Sequence, residues 1–404
     1  MRAYERLIRY AKVHTASSED LSRTPSTGRQ FDLSRMLAEE MRALGMEDVF
    51  IDEHAYTYGF LPATEGCGDR PCIAFNAHLD TIPDFPGENV RPQVVENYDG
   101  GDLPLGESGR VLSVSAFPHL PSLKGKTLVT TDGSTVLGAD DKAGIAEILT
   151  ACERLIAEKR PHGRVAVCFS PDEEVGHGAA LMDLARLGAD FGFTVDGGEP
   201  NTINCETFNA STALWEIRGV NVHPGSAKDV MINANIVAME INALLPAAER
   251  PEHTEGREGY FHLTDMRGSV AEAMLSYIIR DHDAASFAAR EKTMRQIEKF
   301  INGKYGEGTA RLTLTESYRN MSEKLVERPE IVERAERAIR KLGLTPERVP
   351  IRGGTDGAQL SFRGLLCPNL GTGGHACHGP YEHIAAEDMD LCVEVILNII
   401  EDEE

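Results

Sequence analysis

The sequence predicts an α/β protein in two domains, with a mixed, largely buried sheet in the first and a β-α-β-β-α-β unit inserted into it. Three observations carry this. Short apolar runs alternate with helical stretches up to about residue 208, the texture then changes to one ordered set of strands and helices, and from about 319 amphipathic helices return. A chain of 404 residues, 41% of them hydrophobic, can bury a large core and is long for a single domain.

Residues 1 to about 45 read as two amphipathic helices, the second carrying Phe31, Leu33, Met36, Leu37, Met41 and Leu44 up to a Gly45 stop. Strands are expected at Val49–Ile51, Ile73–Asn76, Lys126–Thr130, Val165–Phe169 and Phe191–Val195, with a helix over Ala143–Glu158. Residues 84–125, rich in Pro, Gly and Asp, read as an irregular insertion. From 209 to 318 the order is strand (Leu214–Ile217), helix (Asn233–Leu245), strands (Tyr260–Leu263, Ala273–Ile279), helix (284–302) and strand (Arg311–Thr315). That order is ferredoxin-like and marks 209–318 as an inserted domain, with 1–208 and 319–404 forming the other. Helices Ile331–Leu342 and Met389–Ile400 and a strand near Leu366 complete the first domain.

Composition excludes several functions. With 41 Lys plus Arg against 64 Asp plus Glu, the net charge of −23 repels phosphate backbones and anionic membranes, so neither nucleic acid nor a membrane is an expected partner. No run of 18 apolar residues occurs, and the N-terminus lacks the apolar stretch of a secretory signal, which points to the cytoplasm. Cysteines at 67, 72, 152, 168, 205, 367, 377 and 392 are scattered and expected to be free thiols.

Five segments place histidines and carboxylates at predicted strand ends, where ligands gather in open α/β sheets. In Asn76-Ala77-His78-Leu79-Asp80-Thr81 a carboxylate stands two residues from an imidazole that it could orient. Alone, this reads first as a loop histidine beside a surface aspartate. Gly138-Ala139-Asp140-Asp141-Lys142-Ala143-Gly144 opens a helix, so either aspartate could be an N-cap. Ser170-Pro171-Asp172-Glu173-Glu174-Val175-Gly176 is a solvated charge run or a pair that divides metal binding from proton transfer. Val195-Asp196-Gly197-Gly198 and Gly373-Gly374-His375-Ala376-Cys377-His378-Gly379-Pro380-Tyr381-Glu382 complete a set of two histidines and three carboxylates, enough for two metals sharing a carboxylate.

In order and spacing these motifs resemble the M20 metallopeptidases. The likeness extends to Tyr98-Asp99-Gly100-Gly101-Asp102, Thr131-Asp132-Gly133, His223-Pro224-Gly225-Ser226-Ala227-Lys228 and Pro251–Gly259, and within the family it is greatest to tripeptide-cleaving aminopeptidases. The resemblance implies a zinc-peptidase catalytic domain with a ferredoxin-like lid. It also implies two divalent metal ions, zinc above all, with His78, Asp140 and Asp196 holding one, and Asp140, Glu174 and His378 the other. Asp80 would orient His78, Glu173 would be the general base, His223 would stabilise the oxyanion, and the peptide after Asp140 would be cis. His375 rivals His378, but only His378 fits the family's H-G-x-x-E pattern.

Arg280 and Arg352 are candidates for binding a substrate carboxylate, with ordinary ion pairing as the other reading. Gly353-Gly354-Thr355-Asp356-Gly357 is read as a loop near the site. Short peptides are the implied substrates, and a homodimer through the lid is left open. The same metal site would also serve a dipeptidase, a carboxypeptidase or an N-acyl-amino-acid deacylase. A metal-free peptide-binding protein on this scaffold would be expected to lack some of these ligands or the base.

Overall fold

The computed structural model describes residues 1–403. They form two compact units: Met1–Cys205 with Glu323–Val349 and the segment from Thr355 onward, and Glu206–Ser322 with Pro350–Gly354. Residues 350–354, assigned to the first domain by sequence, pack with the second unit.

The first unit is built on an eight-stranded mixed sheet: β1 (Glu47–Ile51), β2 (Thr57–Leu61), β3 (Ile73–His78), β4 (Val165–Ser170), β5 (Phe191–Gly197), β6 (Thr202–Asn204), β7 (Glu347–Arg348) and β8 (Asn369–Gly371), in spatial order β1-β2-β4-β3-β5-β8-β6-β7. β4, β3, β5 and β8 run parallel, while β2 pairs antiparallel with β4. Every residue of β3 and β4 is buried, as expected of strands covered on both faces.

The period of two sorts side chains between two cores. Val165, Val167 and Phe169 join one with Phe75 and Phe193, and Ala166 and Cys168 join the other with Tyr58 and Phe60. Helices Ala3–Ala11, Gln30–Leu44, Ala139–Glu158, Glu330–Lys341 and Ala386–Glu401 feed Leu7, Leu37, Leu149, Ile339 and Ile396 into the first core. Each such side chain contributes about 1.5–3 kcal/mol by leaving water. Helix Ala139–Glu158 lies close enough to β5 that a Cβ at Gly144 would stand 2.0 Å from the Val195 carbonyl oxygen, so only glycine fits.

Lys126–Thr130 does not join this sheet. Its observed strand, Leu128–Thr130, lies in a separate four-stranded antiparallel sheet with Gln93–Val95, His383–Ala385 and Gly374–His375. The insertion therefore has structure of its own, including a hairpin of Leu103–Leu105 and Arg110–Leu112 over a small core of Tyr98, Leu105, Leu112, Leu120 and Leu123.

In the second unit, strands Asn209–Arg218, Tyr260–Gly268, Glu272–Asp281 and Ala310–Tyr318 form an antiparallel sheet with Glu272–Asp281 and Asn209–Arg218 central, and the chain order with helices Ala234–Ala243 and Ala284–Tyr305 is β-α-β-β-α-β. Burial alternates along Glu272–Asp281 because helices cover one face only. Trp215 is fully buried in that core with Leu275, Ile279, Ile241 and Met294. Among the described residues, no helix is long and apolar enough to cross a membrane.

Candidate metal centre

Parallel strands β3, β4 and β5 end side by side, so His78, the turn after Ser170 and Asp196 come out together. His78 is buried, and its Nε2 lies 2.9 Å from Asp140 Oδ1 and 3.8 Å from Asp196 Oδ1. The other oxygen of Asp140, Oδ2, lies 3.0 Å from His378 Nε2, which is also 3.2 Å from Glu174 Oε2. His78, Asp140, Glu174, Asp196 and His378 are thus brought together, with one carboxylate between two imidazoles.

Asp141 also approaches His78 and Asp196, but its carboxylate is committed to the backbone, accepting the His78 N–H at 3.0 Å and the Gly144 N–H at 3.3 Å. The Asp140–Asp141 peptide is cis. His375 does not join the group. Its ring stacks on His119 at 4.2 Å, and His119 Nε2 lies 2.9 Å from His383 Nε2.

Electrostatics matches the geometry. Burial disfavours a charged His78, yet hydrogen bonds to Asp140 and Asp80 raise it well above the ordinary imidazole range. Hydrogen bonds to Asp140 and Glu174 push His378 up to about 11. Burial would raise Asp140, but its hydrogen bonds to His378 and His78 hold it well below the carboxylate range. Burial raises Glu173, Glu174 and Asp196, and neighbouring carboxylates add to it. Crowded carboxylates of this kind suit a cation. Glu174 Oε1 is buried without a hydrogen-bond partner, so the residues fit divalent ions by donor chemistry and by an oxygen left over.

Asp80 is fully buried and faces three groups. Its Oδ1 lies 3.3 Å from His78 Nδ1 and accepts the Glu173 N–H at 3.0 Å, and Oδ2 accepts the Glu174 N–H at 3.2 Å. The main-chain oxygen of Asp80 also meets His78 Nδ1 at 3.0 Å.

Three contributors were given no role by sequence reasoning. Glu382 is buried and accepts the N–H groups of Leu137, Gly138 and Asp140 at 2.6, 2.8 and 3.0 Å, fixing the turn that presents Asp140. The H-G-x-x-E spacing was its signal. Asp356 opens helix Asp356–Phe362, capped by Thr355, and accepts from Ser170 Oγ at 2.6 Å and Asn76 Nδ2 at 3.3 Å behind the strand ends. Asp172 is tied to Ser26 and Gln30.

His223, Arg280 and Arg352 belong to the second unit. His223 is exposed, and its Nδ1 accepts the Gly225 N–H at 3.1 Å, so the neutral ring carries its proton on Nε2. Arg280 donates Nη1–H to the carbonyl oxygens of Ile279 and Ser211 and lies over the Tyr318 ring. Arg352 is engaged within the second unit. Its Nη1 donates to the carbonyls of Gly256 and Glu258 at 2.8 and 3.0 Å, its Nη2 donates to Thr254, and it lies over Phe208 and Tyr260, bracing loop 254–258.

Peptidase family M20/M25/M40 matches residues 136–402. The chain is 49% identical over 400 residues to Peptidase T of Alkaliphilus oremlandii (98% of each chain), and 51% identical over 401 residues to Peptidase T of Clostridium perfringens strain 13 (99% of this chain, 98% of the other). Among solved structures, aminopeptidase PepT of Bacillus cereus superposes with a TM-score of 0.78 at 23% identity, over 99% of this chain and 97% of the other. YXEP of Bacillus subtilis, described as a dinuclear metal-binding peptidase of family M20, gives 0.65 at 15% identity over 99% and 98%. These two likenesses concern the fold.

Proposed function

The chain belongs to peptidase family M20/M25/M40, and on that premise we propose that it is a metal-dependent aminopeptidase removing the first residue of short peptides, tripeptides above all. The observation that carries the reading is the Asp140 carboxylate set between His78 and His378. The near-full-length likeness to proteins named Peptidase T favours tripeptides over the family's other substrates.

In this reading His78, Asp140 and Asp196 would hold one divalent ion and Asp140, Glu174 and His378 a second, with zinc suited to mixed imidazole and carboxylate donors. When bound, such a pair polarises the scissile carbonyl and lowers the pKa of an attacking water. Glu173 accepts a proton from that water on a carboxylate oxygen and gives it to the nitrogen of the departing peptide. The N–H on Nε2 of His223 serves as donor to the oxyanion. Arg280, with only Nη1 committed to backbone carbonyls, takes the substrate's C-terminal carboxylate, and Arg352 keeps loop 254–258 in shape.

Side-by-side assay of di-, tri- and tetrapeptides with free or acetylated N-termini tests this. Free tripeptides should lead in kcat/KM, whereas preference for acetylated substrates would indicate a deacylase and preference for dipeptides a dipeptidase. Glu173→Gln should keep its metal and lose ~10²–10⁴-fold in kcat, and retention of more than about a tenth of the activity would remove the base assignment.

A further inference from the structure

The residue that precedes the Glu173–Glu174 pair is held by a segment that the reaction does not otherwise involve. Asp172 is fully buried in a left-handed backbone conformation, φ +58°, uncommon for a residue with a side chain. Each of its polar atoms has a partner. Its N–H donates to Gln30 Oε1 at 3.2 Å, and its carbonyl accepts the His177 N–H at 2.9 Å. Oδ1 accepts from Ser26 Oγ at 2.5 Å and Gln30 Nε2 at 2.6 Å, and Oδ2 accepts the Ser26 N–H at 2.7 Å. The Gln30 amide therefore grips both the main chain and the carboxylate of one residue. Gln30 opens helix Gln30–Leu44, whose Leu33, Leu37 and Met41 are buried in the core, so the grip is anchored in a rigid element.

Three successive backbone N–H groups are consequently fixed by buried side chains: Asp172 by Gln30, and Glu173 and Glu174 by the two oxygens of Asp80. Asp80 holds this strip from the His78 side, and Ser26 with Gln30 hold it through Asp172. Both are needed to set direction, because the side chain of Glu173 leaves a short 3-10 turn, Glu173–Val175, that has only one turn of its own to stiffen it.

We propose that Ser26 and Gln30 are positioning residues for proton transfer, acting through the buried Asp172 to aim Glu173. The inference rests on Glu173 being the base. A reacting group displaced by about 1 Å loses on the order of 10²-fold in rate, so release of one side of the grip should be read in kcat. Peptide binding uses other groups, and metal binding draws on this turn only through Glu174, one ligand among five, so both should change far less than kcat.

The test is kinetic, on the zinc-loaded full chain with a good tripeptide. Ser26→Ala and Gln30→Leu should each lower kcat by about 10- to 100-fold, with KM and zinc per chain within about twofold of the parent. Ser26→Thr, which keeps the hydroxyl, should recover to within about threefold of the parent rate. In a Glu173→Gln background, Ser26→Ala should change the residual rate by less than about twofold, because the group it aims has already lost its function. The proposal is overturned if kcat survives both substitutions, if the loss follows zinc content or melting temperature alone, or if it is as large without the Glu173 carboxylate. Failure of the base assignment would show separately, as turnover by Glu173→Gln in the otherwise unaltered chain, and the inference would fall with it.

Discussion

Replacing Asp80 by alanine removes a carboxylate from a fully buried position. Two N–H groups, those of Glu173 and Glu174 at 3.0 and 3.2 Å, lose their acceptor. Each orphaned donor costs about 1–3 kcal/mol, so stability should fall by roughly 2–6 kcal/mol. Loss of a carboxylate behind a metal-binding imidazole typically costs ~10–100-fold in affinity or activity. Here the main-chain oxygen of Asp80 remains 3.0 Å from His78 Nδ1 and can still fix the tautomer, which places the affinity loss near the lower end, about 10-fold. The larger loss should appear in kcat at saturating zinc, because Glu173 and Glu174 are freed together. Asp80→Asn keeps one oxygen acceptor and turns the other atom into a donor facing a donor, so it should fall between parent and alanine variant. Zinc competition against a chromogenic chelator gives the affinity, and initial rates at saturating zinc give kcat. If Asp80→Ala matches the parent within about twofold in both, the carboxylate does not carry the load assigned to it.

Glu147 on helix Ala139–Glu158 is fully buried with both carboxylate oxygens lacking partners, and burial raises it well above its usual 4.5. An acid whose folded-state pKa is raised costs stability as pH climbs above the unfolded value, so Glu147→Leu should raise the melting temperature at pH 8 by a few degrees and by less at pH 5; an equal change at both would contradict this. Glu382→Gln leaves a single oxygen for three N–H groups and should lower metal affinity and activity by about 10-fold or more, measured as for Asp80. Amidating the C-terminus of a good tripeptide should reduce kcat/KM by ~10-fold, and Arg280→Met should erase most of that difference; equal rates on acid and amide would dismiss the arginine clamp.

How much of this was legible depends on how far each residue's partners lie along the chain. β3, β4 and β5 were readable because strands buried on both faces are written as mostly apolar runs, and the candidate site residues stood out because they sit at the ends of those runs beside short motifs. β2, Thr57–Leu61, was missed although all five of its residues are buried. Leu128–Thr130 was recognised as a strand and put in the wrong sheet, since pairing partners are not encoded in a strand's own residues. For Arg352 the chemistry was visible, but not the single loop, 254–258, whose Gly256 and Glu258 carbonyls and Thr254 hydroxyl its guanidinium meets.

The residues that aim the site were the least readable. Gln30 meets Asp172 across 142 positions, Glu382 meets Gly138 across 244 and Asn76 meets Asp356 across 280. No member of these pairs is unusual by itself: a serine or glutamine before a helix reads as a cap, and a lone glutamate reads as surface. Each becomes significant only when burial removes water and makes the partner obligatory. Metal donors advertise themselves because their chemistry is rare in combination, whereas the carboxylates behind them use backbone N–H groups and common side-chain hydroxyl and amide donors. A sequence window therefore discloses which atoms could bind a metal well before it discloses what fixes their direction. For that reason Asp172, adjacent to the proposed base and silent in sequence, is where the structure adds most to the reading of the motif.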